Sequence, residues 1–565
     1  MKKTIFAATV FACGLALLAG CTKELQTPAE NEPSGNETTA TSRRIQLTTE
    51  GYESDTKSSV LDNSVQWVDG DVIMLSSVRW EGRNMIANSQ ERQVTVSGGN
   101  AYITAGDLIT GASEVFAFYP TGVIVDESGW MIYFPSKYDS SIDGNGRQVI
   151  ALPMMAYADN SGNDVTSLEF KHQTAAVKVM LWNATETDLT VTRVVVKTDN
   201  YLLNGAFSLT DEFRYREPML DYTPKSDNDS MTGRVDVNFP GYGESGALVI
   251  PAGDDTKSVQ VPFYPIGKDQ MTIEIHLTDG TNPYIYRHKA SNPALARNQM
   301  MTAKAKLDLG GNMKSAVVNL TDITRDYEAQ DGEILTGTLG SDYKLTIAAG
   351  ATVTLAGMTH HAGEDINGIE CLGNATIILA NGTVNDLTRG HDEAFFGIAM
   401  GSNGDNFTLT IEGSGTLNVS GGDSYAGIGG HNPSGYQDLV INGGIITATG
   451  GFFAAGIGSG NSSAFGNITI NGGEIVAIGG VRAAAIGCGN NGQCGTITIN
   501  DGITSLKAIK GNSGYYIGGG SGNYGTITVD GITGTNNNIH TKIFPHFNSE
   551  ISTTTNTNDT WTLTH

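Results

Sequence analysis

The chain has 565 residues, of which 59 are acidic and 34 are basic, and its formal net charge is −25 at pH 7. This charge argues against a protein that binds nucleic acid, whose phosphates it would repel, and a hydrophobic content of 39% excludes a disordered chain. The 72 glycines are nearly twice the usual share of about 7%, whereas 15 prolines are too few for collagen.

The first 20 residues are predicted to be a secretion signal. Lys2 and Lys3 precede a mostly apolar run that is too short to span a membrane as a helix. Leu18-Ala19-Gly20-Cys21 resembles a bacterial lipobox, which implies cleavage before Cys21, acylation of its thiol and a lipid anchor at the outer membrane or the cell surface. The alternative is an ordinary signal peptide with an incidental cysteine. Residues 21–42 are polar and unpatterned, which indicates a flexible tether.

Residues 43–312 are predicted to form two antiparallel β-sandwich domains, at 43–172 and 173–312. Short apolar or alternating segments recur there between clusters of Gly, Asp, Asn and Ser, and no helix with caps is evident. We expect Trp67 to anchor a core and His172 to be structural.

Four segments of this part carry a family likeness. They are Trp67-Val68-Asp69-Gly70-Asp71-Val72-Ile73, Phe118-Tyr119-Pro120, Leu168-Glu169-Phe170-Lys171-His172 and Asn298-Gln299-Met300. Together they resemble the fimbrillin-like family of type V pilin lipoproteins. The resemblance implies a subunit that loses its N-terminal strand to an Arg-specific protease and then accepts a strand from a neighbouring subunit. It makes Arg43 and Arg44 the candidate processing site. The alternative is a permanently anchored lipoprotein in which both arginines stay uncut.

A tandem repeat occupies residues 345–535, which hold 44 of the 72 glycines. One anchor is an isoleucine that recurs at spacings of 29, 30, 29, 29 and 31 residues. A second anchor ends a short apolar run and recurs at 30, 29, 29 and 30. The first row is Ile369, Ile398, Ile428, Ile457, Ile486 and Ile517, and the second is Ile411, Ile441, Ile470, Ile499 and Val529.

Each repeat contains three short β-runs separated by glycine-rich bends. In one repeat these runs are Leu439–Ile441, Ile445–Ala448 and Ala454–Gly458. A period near 29 residues with three strands predicts a parallel β-helix whose apolar residues stack about 4.8 Å apart. The fold class is therefore all-β, with two tandem β-sandwiches followed by the β-helix. Residues 313–344 are expected to be its linker and N-terminal cap, and residues 536–565 its C-terminal cap.

The repeat region also contains motifs that resemble those of a known class of modules. Tyr327-Glu328-Ala329-Gln330-Asp331-Gly332 opens it, and two coils share the motif of Tyr425–Gly429 and Ala455–Gly460. It is similar to carbohydrate-binding right-handed β-helix modules related to polysaccharide lyases. That resemblance implies cell-surface or dietary polysaccharides, acidic glycans among them, and calcium as partners.

Three carboxylates stand five residues before successive anchors: Glu364, Glu393 and Asp423. Carboxylates stacked about 4.8 Å apart repel each other unless a cation or hydroxylated ligand lies between them. Because oxygen ligands suit Ca²⁺, these residues are a candidate calcium site. A solvated acidic face is the alternative.

Aromatic side chains that follow the anchors are candidates for stacking on sugars. Tyr436 and Phe465 lie eight residues after their anchors, and Tyr524 lies seven after its own. Packing of the turn against itself is the alternative. Cys488 and Cys494 have a spacing that allows a small disulfide loop, whereas Cys371 is expected to be a free buried thiol.

The sequence favours binding over catalysis. No nucleophile elbow, P-loop or zincin motif occurs, and only Arg389 among the basic residues of the repeat lies near the acidic row. The preferred hypothesis is a surface-anchored, fimbrillin-like adhesin that binds carbohydrate through its β-helix. The alternatives are a β-helix polysaccharide lyase or glycoside hydrolase, and a structural fimbrial subunit that joins other subunits by strand exchange.

Overall fold

The computed structural model confirms the all-β class. It describes residues 44–49, 53–54, 67, 69–81, 84–104, 108, 112–121, 124–126, 131–160, 165–208, 233–389, 395–401, 407–430, 437–511, 514–519, 526–529, 532–534 and 560–564. Among them, no helix is long and apolar enough to cross a membrane.

The first unit is an eight-stranded sheet in the order β4-β3-β7-β12-β13-β1-β6-β5. The strands of residues 44–172 are β1 Arg44–Thr49, β2 Glu53–Ser54, β3 Val72–Glu81, β4 Asn84–Gln93, β5 Thr95–Ser97, β6 Asn100–Thr104, β7 Glu114–Tyr119, β8 Ile124–Asp126, β9 Met131–Phe134, β10 Lys137–Ile142, β11 Gln148–Ile150, β12 Met154–Asp159 and β13 Ser167–His172. Trp67 packs edge-on against Tyr119 and Phe170, with ring centroids 5.2 and 4.9 Å away, as a core anchor should.

The second unit places a four-stranded sheet, β19-β14-β22-β2, over a sheet in the order β11-β10-β17-β15-β20-β21-β23. Its further strands are β14 Ala175–Asn183, β15 Leu189–Thr198, β16 Gly205–Ser208, β17 Arg234–Asn238, β18 Leu248–Ile250, β19 Lys257–Phe263, β20 Asp269–Thr278, β21 Pro283–Asn292, β22 Gln299–Leu307 and β23 Met313–Ser315. β10 and β11 precede the predicted boundary at residue 172, yet β10 pairs with β17 of this sheet. The two sandwiches are therefore not contiguous in sequence, because strand pairing joins segments about a hundred residues apart.

The third unit is a β-helix with three faces of parallel strands. A single 3₁₀ turn, Leu320–Asp322, lies at its start. The strands are β24 Val317–Asn319, β25 Tyr327–Ala329, β26 Ile334–Thr338, β27 Leu345–Ile347, β28 Ala351–Thr359, β29 Ile369–Cys371, β30 Ala375–Leu379, β31 Val384–Leu387, β32 Ile398–Met400, β33 Thr408–Gly413, β34 Thr416–Ser420, β35 Ile428–Gly430, β36 Asp438–Ile441, β37 Ile445–Thr449, β38 Ile457–Ser459, β39 Ala464–Phe465, β40 Ile468–Ile470, β41 Gly473–Ile478, β42 Ile486–Gly487, β43 Gln493–Cys494, β44 Ile497–Ile499, β45 Ile503–Ile509, β46 Ile517–Gly518, β47 Ile527–Val529, β48 Ile532–Gly534 and β49 Thr560–Thr564.

Both predicted anchor rows stack in register. Ile369 pairs with Ile398, and the row continues coil by coil to Ile517. The second row runs from Ile411 to Val529 in the same way. The isoleucines of both rows lie in the core of the β-helix. The third run of each coil is shorter than predicted, because β38 begins at Ile457 and the residues before it form a turn.

The ends of the β-helix are closed differently. At the start, β24 and β26 already pair in parallel with the stack, so the coils begin at Val317 rather than at residue 345. At the far end, β49 pairs antiparallel with β45 and covers its backbone edge.

Candidate functional site

Two of the predicted carboxylates, Glu364 and Asp423, lie in the turn that precedes the anchor strand of their coil. We call the stack of such turns, at residues 395–397, 421–427, 450–456, 479–485, 511 and 514–516, the anchor corner. Asp423 of the corner is exposed, and Glu364, at the same position in an earlier coil, is also exposed. Glu393 lies outside the described residues, so the geometry of the calcium site stays a prediction.

The anchor corner is held by backbone hydrogen bonds between coils. The amide of Gly451 donates to the carbonyl of Tyr425 at 3.0 Å, and that of Gly480 donates to Ala454 at 2.9 Å. A Cβ on Gly480 would lie 1.9 Å from the carbonyl oxygen of Gly451. The close approach of successive turns therefore requires glycine here, which explains part of the glycine excess.

The predicted sugar-stacking row is not supported. Phe465 is fully buried in the core of the β-helix, so its ring cannot contact a ligand. It lies in β39, which pairs with β43 and sets Phe465 beside Cys494. Tyr436 and Tyr524 lie outside the described residues.

The described cysteines are all free and buried. The predicted loop-closing disulfide is therefore not formed, although the Cys488 and Cys494 thiols are hydrogen-bonded to each other, which raises the pKa of Cys488. Cys371 is a free buried thiol, as expected.

The predicted modification sites lie at the start of the chain. Cys21 and Arg43 are outside the described residues, and Arg44 is the exposed first residue of β1. β1 lies inside its sheet, parallel to β13 and antiparallel to β6. A cut at Arg43 or Arg44 would therefore remove the tether but leave Ile45–Thr49 in place, without opening a strand-sized groove.

The side chain of Arg389, the basic residue nearest the acidic row, makes contacts within the β-helix. Its guanidinium donates to the carbonyl of Ala362 and lies over the ring of Phe395, 5.3 Å from the centroid. Both contacts favour the protonated guanidinium, whereas the general base of a lyase would have to be deprotonated.

A cluster of charges that the sequence did not reveal joins the second sandwich to the β-helix. The turn of Gln330–Glu333, between β25 and β26, contacts side chains of β15, β17, β20 and β21. The carboxylate of Asp331 accepts hydrogen bonds from Arg193 at 3.0 Å and Arg234 at 3.1 Å, and its other oxygen accepts from the amide of Thr352 at 2.7 Å.

Further ion pairs surround this carboxylate. Arg234 forms a two-pronged pair with Asp236, at 2.7 and 2.9 Å. Lys197 pairs with Glu274 at 3.0 Å, and Arg287 pairs with Glu333 at 3.3 Å. We call this set the junction network. It balances four acids with four bases: Asp236, Glu274, Asp331 and Glu333 with Arg193, Lys197, Arg234 and Arg287.

Glu274, His276 and Asp331 are close enough together to ligate a metal, and they are the one such group among the described residues. Arg193 nevertheless occupies the space between the candidate ligands, since its Nη2 lies 3.0 Å from both His276 Nε2 and the Asp331 carboxylate. Burial, and then the charge of Arg193, hold the pKa of His276 well below its ordinary value. The side chains fit a neutral histidine in an ion network better than a metal centre.

Comparison with known proteins gives structural neighbours only. No protein-family model and no curated protein sequence matches the chain. A chain from Bacteroides ovatus, described as a candidate cell adhesion protein, is 16% identical, with 48% of this chain and 95% of that chain covered and a TM-score of 0.28. A chain of the same description from Bacteroides uniformis is 11% identical, with 49% of this chain and 98% of that chain covered and a TM-score of 0.29. Another, from Bacteroides eggerthii, is 12% identical, with 50% of this chain and 92% of that chain covered and a TM-score of 0.24. Likenesses this weak assign no function to the chain.

Proposed function

We propose that this protein is a fimbrillin-like lipoprotein adhesin, anchored at the outer membrane through Cys21, that binds carbohydrate through its β-helix. The sandwiches serve as a stalk and the β-helix as the binding head. The three carboxylates Glu364, Glu393 and Asp423 are proposed to bind Ca²⁺ and, with it, acidic glycans.

The junction network is the observation that carries this proposal. Interfaces between domains are by default small and mobile, but here a fully buried carboxylate, Asp331, of the first coil is held by Arg193 and Arg234 of the sandwich. The stalk and the head are thus fixed to each other. A rigid stalk holds a binding surface away from the cell, which is what an adhesin requires.

A structural fimbrial subunit is the second candidate. The inner position of β1 favours it, because loss of this strand would expose the backbone edges of β13 and β6 to a donor strand. Removal of β1 requires a cut after Thr49 rather than at Arg43 or Arg44. Mass spectrometry of surface-released protein tests this: an N-terminus at Cys21 or Ile45 argues against strand exchange.

A glycan array with the full chain, with and without Ca²⁺, tests the adhesin proposal. The full chain is the right material because the head shares the junction network with the stalk. We expect binding to at least one polysaccharide and no product release from a panel of pectins. An array without any bound glycan would refute the proposal, and released unsaturated products would favour a lyase.

A further inference from the structure

Aromatic side chains line the anchor corner where the predicted carboxylates end. Phe452 occupies the position in its coil that Asp423 occupies in the preceding coil, and it is 48% exposed. Tyr425 and Phe453 are half-buried in the same two coils. Tyr515, at the end of the corner, is 39% exposed. Aromatic rings that stay partly or largely exposed in two adjacent coils, as Tyr425, Phe452 and Phe453 do, indicate a binding surface.

The rings are held in place before any ligand arrives. Phe452 and Phe453 meet edge to face with centroids 4.6 Å apart, and Tyr425 packs in the same way on the buried Phe396 at 4.9 Å. The amide of Phe453 donates to the carbonyl of Asp423 at 2.9 Å. Because these contacts fix the rings, little conformational entropy is lost when a ligand binds.

Amide side chains flank the rings. The loops after β38 and β42 fold back onto the corner, where the backbone amide of Asn461 donates to the carbonyl of Ser424 and that of Asn490 donates to the carbonyl of Phe453, each at 2.8 Å. The side chains of Asn461 and Asn490 bond to each other at 3.1 Å and are partly exposed. Two side-chain amides in successive coils thus lie beside the turns that carry the rings.

We propose that the anchor corner binds an uncharged polysaccharide chain lying along the axis, with sugar rings stacked on Tyr425, Phe452 and Phe453. Pyranose rings have apolar faces that stack on aromatic rings, and hydroxyl rims that hydrogen-bond to amides such as Asn461 and Asn490. The inference rests on the proposed carbohydrate-binding function and names the ligand class and the site.

The charges beside the rings fit an uncharged glycan. Asp423 stands next to Phe452 in the stack and is assigned to the carboxylate row, whereas the exposed Arg482 takes the position of Phe453 in the following coil. A uronic acid on the rings would be repelled by the one and attracted by the other, so stacking and hydrogen bonds to hydroxyl groups, which an uncharged sugar supplies, contribute most of the binding. This ligand differs from the acidic glycan expected at the carboxylate row.

Affinity gel electrophoresis of the full chain tests the inference. The gels contain hydroxyethyl cellulose, galactomannan or xyloglucan as neutral probes, and polygalacturonate with Ca²⁺ or with EDTA as the acidic probe. The variants are Phe452→Ala and Asn461→Ala. Trp182→Ala is the matched control, because Trp182 is 46% exposed but lies on the sandwich. Circular dichroism checks that each variant folds.

We expect retardation by at least one neutral glycan, with an affinity roughly tenfold lower or worse in Phe452→Ala and unchanged in Trp182→Ala. Neutral-glycan binding that Phe452→Ala and Asn461→Ala leave unchanged overturns the site but not the adhesin proposal. Retardation by polygalacturonate alone, lost in EDTA, overturns the neutral ligand and supports the carboxylate row. Failure to bind any glycan overturns both proposals.

Discussion

Substitution of Asp331 by asparagine tests the junction network directly. Asparagine keeps the shape of the side chain and an oxygen for the amide of Thr352, but it removes the negative charge that faces Arg193 and Arg234. The Asp331 side chain is 0% exposed, so water cannot replace the lost interaction. Both guanidinium groups would be left with less compensating charge in a buried place.

The expected loss of stability in Asp331→Asn follows from the burial of the carboxylate. Desolvation alone would raise the pKa of Asp331, but the charges of Arg234 and Arg193 outweigh it and hold this pKa below its ordinary range. The folded state therefore depends on the ionised carboxylate. Breaking a buried ion pair on one side costs about 3–5 kcal/mol, and we expect Asp331→Asn to lower the free energy of unfolding by about 3 kcal/mol, since its shape is kept.

Urea unfolding followed by circular dichroism and tryptophan fluorescence is the assay, because guanidinium chloride would screen the ion pairs. Asp199→Asn is the matched control. It removes an aspartate paired with Lys289 at 3.1 Å, but the two side chains are 75% and 51% exposed, so a loss of no more than about 1 kcal/mol is expected. Equal losses in the two variants would refute the view that the junction network stabilises the link between the second sandwich and the β-helix.

Three other predictions follow from single residues. Gly458 has φ +132°, and a Cβ there would lie 1.9 Å from the carbonyl oxygen of Gly487. Gly458→Ala should therefore lower the free energy of unfolding, measured in urea, by at least about 2 kcal/mol. The control Gly382→Ala, where a Cβ would meet no atom within 4 Å, should lower it by about 1 kcal/mol. Since the folded-state pKa of His276 lies below the ordinary 6.5, stability should fall as pH drops below that value, and a pH series of His276→Gln should show a shallower decline. Burial, and then the charge of Glu370, raise the pKa of Cys371 to about 12. Ellman's reagent at pH 8 should therefore leave this thiol unmodified in the native protein and label it only after unfolding. Labelling of Cys371 in the native protein as fast as that of an exposed cysteine would contradict this.

The strand register of the repeat could be predicted because its contacts join residues at a short, constant separation in the sequence. Each coil of a solenoid contacts its neighbours at a fixed sequence offset, so a period near 29 residues converts directly into strand register. Ile369 and Ile398 were paired from spacing alone, and the structure pairs them. The same offset reasoning aligned Asp423 with Glu364, and both side chains are exposed in the structure.

The direction of a side chain was harder to predict. Phe465 was expected in a polar turn, but β39 and β43 form a short extra ladder there that turns the ring inward. The available signal was the residue one coil later, Cys494, since two apolar side chains at one stacked position indicate a core. Phe452 takes the place of the carboxylate in the coil after Asp423, and its exposure makes this part of the anchor corner aromatic.

The sequence by itself determined the all-β class, the period of the β-helix, its two anchor rows and the reason for its glycines. These depend on contacts between neighbours in the chain or between successive coils. Only the tertiary structure decided where β10 and β11 pair, which way Phe465 points and how the second sandwich meets the β-helix. Arg193 and Asp331 stand 138 residues apart. No local sequence pattern links these two charges. They become dependent on each other only when folding buries both, because a buried charge without its partner is strongly destabilising.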